Sequence, residues 1–149
     1  MDAPAGGRRP LLLAAALAFF LDVAGITWGL PARWHPDEKA DAVARMAREG
    51  TLSPESFINP SLPLYVSLPF VFLQQRLADM GGLRGHAADP LLLVRLLSAA
   101  AGAAAVFVLG RAAGRHAPGL ATPAAFLFAL APGVVNLSHF ATPEPWLML

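Results

Sequence analysis

The chain has 149 residues and no cysteine, is 56% hydrophobic and only 14% charged, and carries a formal net charge of +1. The near-neutral balance excludes a polyanion-binding face, and the lack of cysteine excludes a disulfide framework and thiolate metal sites without identifying a compartment. The length suits one soluble domain, but the charges gather between long apolar stretches, which is the segregation of an integral membrane protein.

After a short basic head with Arg8 and Arg9, residues 11–30, "LLLAAALAFFLDVAGITWGL", are long enough to cross a hydrocarbon core as a helix. Asp22 is the only charge in it. The two arginines favour a cytoplasmic N-terminus, and Trp28 and Trp34 suit the far interface. The same pattern, with the small residues of "LPA" at 30–32, also describes a cleaved secretory leader; the length of the apolar run and the further apolar segments argue against it.

From Pro36 to Gly50 the pattern predicts a short amphipathic helix. Proline and acids fill its first turn, Ala40, Val43, Ala44 and Ala47 share one face, and Gly50 stops it. Asp41 and Arg45 are spaced for an i,i+4 pair. Residues 62–73 form a short apolar stretch interrupted by Pro63 and Pro69 and preceded by Pro60, which reads as interfacial or re-entrant. Residues 91–110 predict a second span with Arg95 near its start and small residues suited to close packing. Arg111, Arg115 and His116 follow as a short basic loop, and residues 120–139 predict a third span leading into "SHFATPEP".

This count gives an all-α membrane protein with three transmembrane helices and an outer segment, 31–88, of juxtamembrane helices. It places "HPDE" (35–38) and "SHFATPEP" (138–145) on one side and the arginine-rich ends on the other, as the positive-inside tendency requires. A fourth span at 62–73 would put Glu144 and Asp37 on opposite sides and the basic loop outside.

Asp37 and Glu38 are adjacent, so on a helix they diverge by about 100° and cannot face one substrate as a dyad. One of them can take a proton from an attacking hydroxyl at the membrane edge. The plainer reading is that both complement the dipole of the helix starting there. His35 with Asp37, His139 and Glu144 makes a weak ligand pattern, so a divalent cation is left open and no metal ligand is assigned. His139 either bonds substrate or caps a helix end. Asp22 must face a bundle or a wet cavity. Arg95 either snorkels or holds a lipid-borne phosphate.

Taken in order, a basic head, one span, "HPDE" opening an amphipathic helix, "NPSLPLY", an arginine heading the next span and "SHFATPEP" after a third resemble the N-terminal part of GT-C class membrane glycosyltransferases. The likeness is to the protein O-mannosyltransferase and aminoarabinose transferase type, glycosyltransferase family 39, and covers the chain from Arg8 onward. It implies a polytopic enzyme of the cell envelope, embedded in the plasma membrane, that transfers a hexosyl or pentosyl group with inversion. The donor is a polyprenyl-phosphate sugar and the acceptor an extracytoplasmic lipid, glycan or protein, with membrane lipids as further partners. It also implies that Asp37 is the general base with Glu38 beside it, and that Glu144 occupies the second acidic position, where Asp is more usual. His35, Asn59, Tyr65, Arg95 and His139 become candidate substrate contacts. The segment around Asn59 and Pro60 has "FINPS" where some relatives carry a lysine on the lipid phosphate, which would leave that contact to Arg95. Such enzymes have many more spans, so the expectation is a fragment, inactive alone. A non-enzymatic membrane element, a transporter piece or assembly scaffold, is the alternative.

Overall fold

The computed structural model describes residues 7–32, 35–55 and 60–149. These residues form an all-α fold: α1 (Arg8–Val23), α2 (Ala40–Glu49), α3 (Leu62–Asp79), α4 (Pro90–His116), α5 (Ala121–Ala129), α6 (Pro132–His139) and α7 (Glu144–Leu147). Among the described residues there is no β-strand. Trp34 and Asn59 lie outside the described residues.

The longest element has the clearest local cause. Asp89 caps α4, its side chain accepting from the Leu91 N–H at 2.9 Å, and Pro90 sits at the first helical position, where no N–H is needed. At 27 residues, α4 runs past the expected end of its span, because the alanine-rich tract 99–113 favours helix to the last turn. Arg111, Arg115 and His116 are therefore on the helix rather than on a basic loop.

The first helix is shorter than its apolar run. It ends at Val23, after which Gly25 and Gly29 take left-handed φ of +75° and the chain advances by successive turns, with Trp28 N–H donating to the Gly25 carbonyl at 2.7 Å. Turns leave carbonyls free that a helix would have used, and those of Ile26 and Trp28 become important below. At the other end of the chain, the predicted single span is bent. Ala131 is extended ahead of Pro132, and the segments Pro118–Ala129 and Pro132–His139 meet at 59°.

Residues 62–79 form one continuous helix rather than a proline-broken stretch. Pro63 lies in the first turn, where its missing N–H costs nothing, and Pro69 is accommodated inside on an exposed face. Leu64, Ser67, Val71 and Gln74 form its buried stripe. Gln74 donates to the Ala87 and Asp89 carbonyls at 2.9 and 3.1 Å, and Gln75 to the Ala44 carbonyl at 3.1 Å. The α2 helix begins at Ala40, later than Pro36, and ends on Gly50 at φ +66°. Arg45 turns to Glu55 at 2.7 Å and Glu49 at 3.7 Å.

Packing divides into two apolar clusters. Leu11, Ala14, Ala18, Val106, Ala125 and Ala129 join α1, α4 and α5. Val43, Ala44, Leu64, Val71, Leu91, Val94 and Ala141 join α2 and α3 to the first turns of α4. Between them, along α4, lie Arg95, Ser98 and Gly102, all buried. α1 and α4 run antiparallel: Arg8 shares a cavity with Arg111 and Arg115 at one end, while the carbonyls after α1 meet Arg95 at the other.

Many large apolar side chains face outward, among them Leu12, Leu13, Phe20, Phe70, Phe72, Leu73, Leu127 and Leu130, whereas the interior combines the apolar clusters with alanines, buried serines, Asp22 and Arg95. By length and composition α4 can cross a bilayer alone, and the bent pair can do so as one unit. α1, at 16 residues, and α3, with its polar last turns, fall short among the described residues.

Close packing of α4 gives a direct test. A Cβ at Gly102 would collide with Ser138 Oγ and stand 3.1 Å from Asp22 Oδ2. Gly102→Ala is expected to destabilise the fold by about 1–3 kcal/mol through overpacking, outweighing the helix-propensity gain of about 1 kcal/mol. Thermal unfolding of the solubilised protein reads this as a lower midpoint.

Candidate functional site

The candidate site is built around a buried arginine. Arg95 has no exposed surface and is the largest fully buried side chain among the described residues. Its Nε and Nη2 donate to the two Glu38 carboxylate oxygens at 2.7 and 2.8 Å, and Nη1 donates to the Ile26 and Trp28 carbonyls at 2.6 and 2.8 Å. Four of its five N–H groups are thereby used. The guanidinium carbon lies 5.5 Å from the centroid of the Phe140 ring, within cation–π range.

Glu38 is as buried as its partner, with a side chain 2% exposed, and its Oε1 also accepts the Ala141 N–H at 2.9 Å. One ion pair therefore ties the "HPDE" turn, the start of α4 and the "SHFATPEP" segment together, segments separated by 57 and 103 residues. Arg95 turns inward rather than snorkelling, with its surface buried and four of its five N–H groups committed within the protein.

The adjacent acids are separated by a turn, not by a helix. Residues 35–38 precede α2, with the Glu38 N–H donating to the His35 carbonyl at 3.4 Å. Glu38 points into the fold and Asp37 stays exposed. The Asp37 N–H donates to His35 Nδ1 at 3.3 Å, which puts the ring proton of neutral His35 on Nε2. The His35 ring stacks on Phe140 at 4.4 Å, and Trp28 and His139 meet the edge or face of Phe140 at 6.4 and 5.1 Å. Phe140, not singled out in the sequence, is thus the centre of the aromatic contacts. Its position directly after His139 was the available signal.

Asp37 lines a mainly apolar pocket with Lys39, Pro60, Leu64, Thr142 and Pro143. Both motifs therefore reach one pocket. Lys39 supplies a cation there, its Nζ 3.4 Å from the Pro36 carbonyl. Pro54 closes another part of the wall, its carbonyl held by Arg45 Nη2 at 3.0 Å. Glu144 is the next residue beyond the wall at Pro143, half-buried at the start of α7, with Oε2 buried and without a hydrogen-bond partner among the described residues.

The remaining candidates divide. Tyr65 donates its hydroxyl to the Leu52 carbonyl at 3.2 Å and supports the loop after α2. His139 Nδ1 donates to the Asp22 carbonyl at 2.9 Å. The Asp22 side chain is buried in the bundle beside Gly102 and Ser138, without a hydrogen-bond partner among the described residues. No cluster of three or more His, Asp or Glu side chains able to hold a metal occurs among the described residues. No protein-family profile, curated protein or solved structure matches the chain.

Proposed function

We propose that the chain is part of a membrane glycosyltransferase that uses a polyprenyl-phosphate sugar, with Asp37 as the general base and the small pocket of about 40 Å³ at 37–39 and 141–143 as one part of the wall of the site where sugar and acceptor meet. The observation that carries this reading is the pairing of the two acidic motifs through Arg95 and Glu38, which leaves Asp37 as the carboxylate facing the pocket. The outward leucines and phenylalanines and the arginines at the opposite end support three membrane crossings, by α4, by the α5–α6 pair, and by α1 together with the apolar turns that follow it. On that arrangement the pocket is extracytoplasmic, the N-terminus is cytoplasmic, and α2 and α3 form the rim over which the lipid enters.

The chemistry follows from those positions. The acceptor hydroxyl oxygen attacks the anomeric carbon from the face opposite the phosphate. A C–O bond forms there, the bond to the polyprenyl phosphate breaks, and the phosphate leaves with the electron pair. The hydroxyl proton passes to Asp37. A phosphate leaving group needs little protonation, so deprotonating and aiming the acceptor is the step that requires the protein. Lys39 is placed to meet the phosphate charge, a role that Arg95, with four N–H groups committed, is not free to take.

Membranes carrying the whole enzyme of which this chain is proposed to be part are expected to move sugar from a polyprenyl-phosphate donor, and not from a nucleotide sugar, to an acceptor outside. No transfer from the lipid-linked donor in any acceptor-containing membrane would leave the competing reading, a non-enzymatic scaffold. The favourable observation for that reading is that Arg95 and Glu38 tie α4 to the turns before α2 and after α1 without lining the pocket.

A further inference from the structure

At the end of the bundle away from Asp37, a cavity of about 280 Å³ is lined by Arg8 from α1, by Arg111 and Arg115 from α4, and by Leu11, Pro118 and Ala121. Among the described residues no carboxylate lines it, and none of the three guanidiniums has an ion-pair partner; Arg111 lies over the Phe107 ring at 5.9 Å.

Helix dipoles do not account for the cluster. Arg115 in the last turn of α4 is favourably placed, but Arg8 stands in the first turn of α1, where a cation is unfavourable and no acidic residue offsets it. Gly110 and Gly114 bring α4 against its neighbours: a Cβ on Gly110 would lie 2.6 Å from Leu11 Cδ2 and 2.9 Å from Ala125 Cβ, and one on Gly114 would lie 3.0 Å from Ala121 Cβ. These glycines, one helical turn apart, set the close approach of α4 to Leu11, Ala121 and Ala125 beside the cavity. Arg8, Arg111 and Arg115 are exposed around it, so the cavity offers three solvent-accessible cations and, among the described residues, no carboxylate to an anion.

The surroundings indicate which anion. Leu11 and Ala121 form apolar wall, and Leu12, Leu13, Leu109 and Leu120, close in sequence to the lining residues, are exposed. We propose that this cavity binds the phosphate of an anionic glycerophospholipid, with the acyl chains against those leucines, and so fixes the cytoplasmic end of the bundle. The proposal rests on the membrane reading above and not on sugar transfer.

The test is native mass spectrometry of the detergent-solubilised protein with phosphatidylglycerol, phosphatidylcholine or inorganic phosphate. Expected is phosphatidylglycerol retention at least tenfold tighter than phosphatidylcholine, with inorganic phosphate a poor competitor. The preference should be lost in Arg111→Gln/Arg115→Gln and kept in Arg9→Gln, which changes an arginine outside the cavity. Arg8→Gln provides the same test from α1 if the double variant does not fold. Equal retention of the two lipids, an unaltered preference in the cavity variants, or full displacement by millimolar phosphate would each overturn the lipid site while leaving the membrane reading intact. Recovery of the folded chain from the aqueous fraction without detergent would overturn both.

Discussion

Arg95→Met is expected to cause the largest loss of stability of any single substitution at the site. It leaves the Glu38 carboxylate 2% exposed with no cation, and it orphans the carbonyls of Ile26 and Trp28. Breaking a buried pair by removing one partner typically costs about 3–5 kcal/mol, a large share of the margin by which proteins are folded. Arg95→Lys is expected to rescue little, because a single ammonium cannot span both carboxylate oxygens and two carbonyls. The double variant Glu38→Gln/Arg95→Met should regain part of the loss, since no buried charge remains. The measurement is the unfolding midpoint of the solubilised protein across this series. A midpoint within about 2 °C of the parent for Arg95→Met would show that the pair does not hold the site together.

Asp37→Asn is expected to have the opposite profile. The Asp37 side chain is exposed, and the one bond described for this residue runs from its backbone N–H to His35, so the amide should leave the fold and the unfolding midpoint unchanged. The amide cannot accept the acceptor's proton, and removal of a positioned base lowers turnover by about 10²–10⁴-fold. The effect should fall on kcat, with donor KM little altered, because the contact matters in the transition state more than in the bound ground state. Glu38→Gln in parallel should lose transfer together with stability. Full transfer by Asp37→Asn would remove the base from this residue.

The sequence made some of this architecture readable and hid other parts for identifiable reasons. Local signals sufficed for the Gly50 stop of α2 and the apolar face formed by Val43, Ala44 and Ala47, because each depends on residues within a turn or two. Local signals misled at Pro69, since a proline in an exposed helix face is tolerated when its neighbours pack, and at 111–116, where helix propensity continues through charged residues. The Arg95–Glu38 bond was not legible at all. Its partners are 57 residues apart, and the end of α1 that supplies the carbonyls became visible only once Gly25 and Gly29 had turned the chain. The same long-range bond decided what adjacency could not: which of two neighbouring carboxylates goes inside and which faces the pocket.

The most direct measurement of the central arrangement uses the absence of native cysteine. Single variants Asp37→Cys, Glu144→Cys and Arg115→Cys are treated in intact cells with a maleimide that does not cross membranes. Labelling of the first two from outside is expected, and of Arg115→Cys only after the membrane is opened. Labelling that puts positions 37 and 144 on opposite sides, or position 115 on the same side as both, would contradict that arrangement.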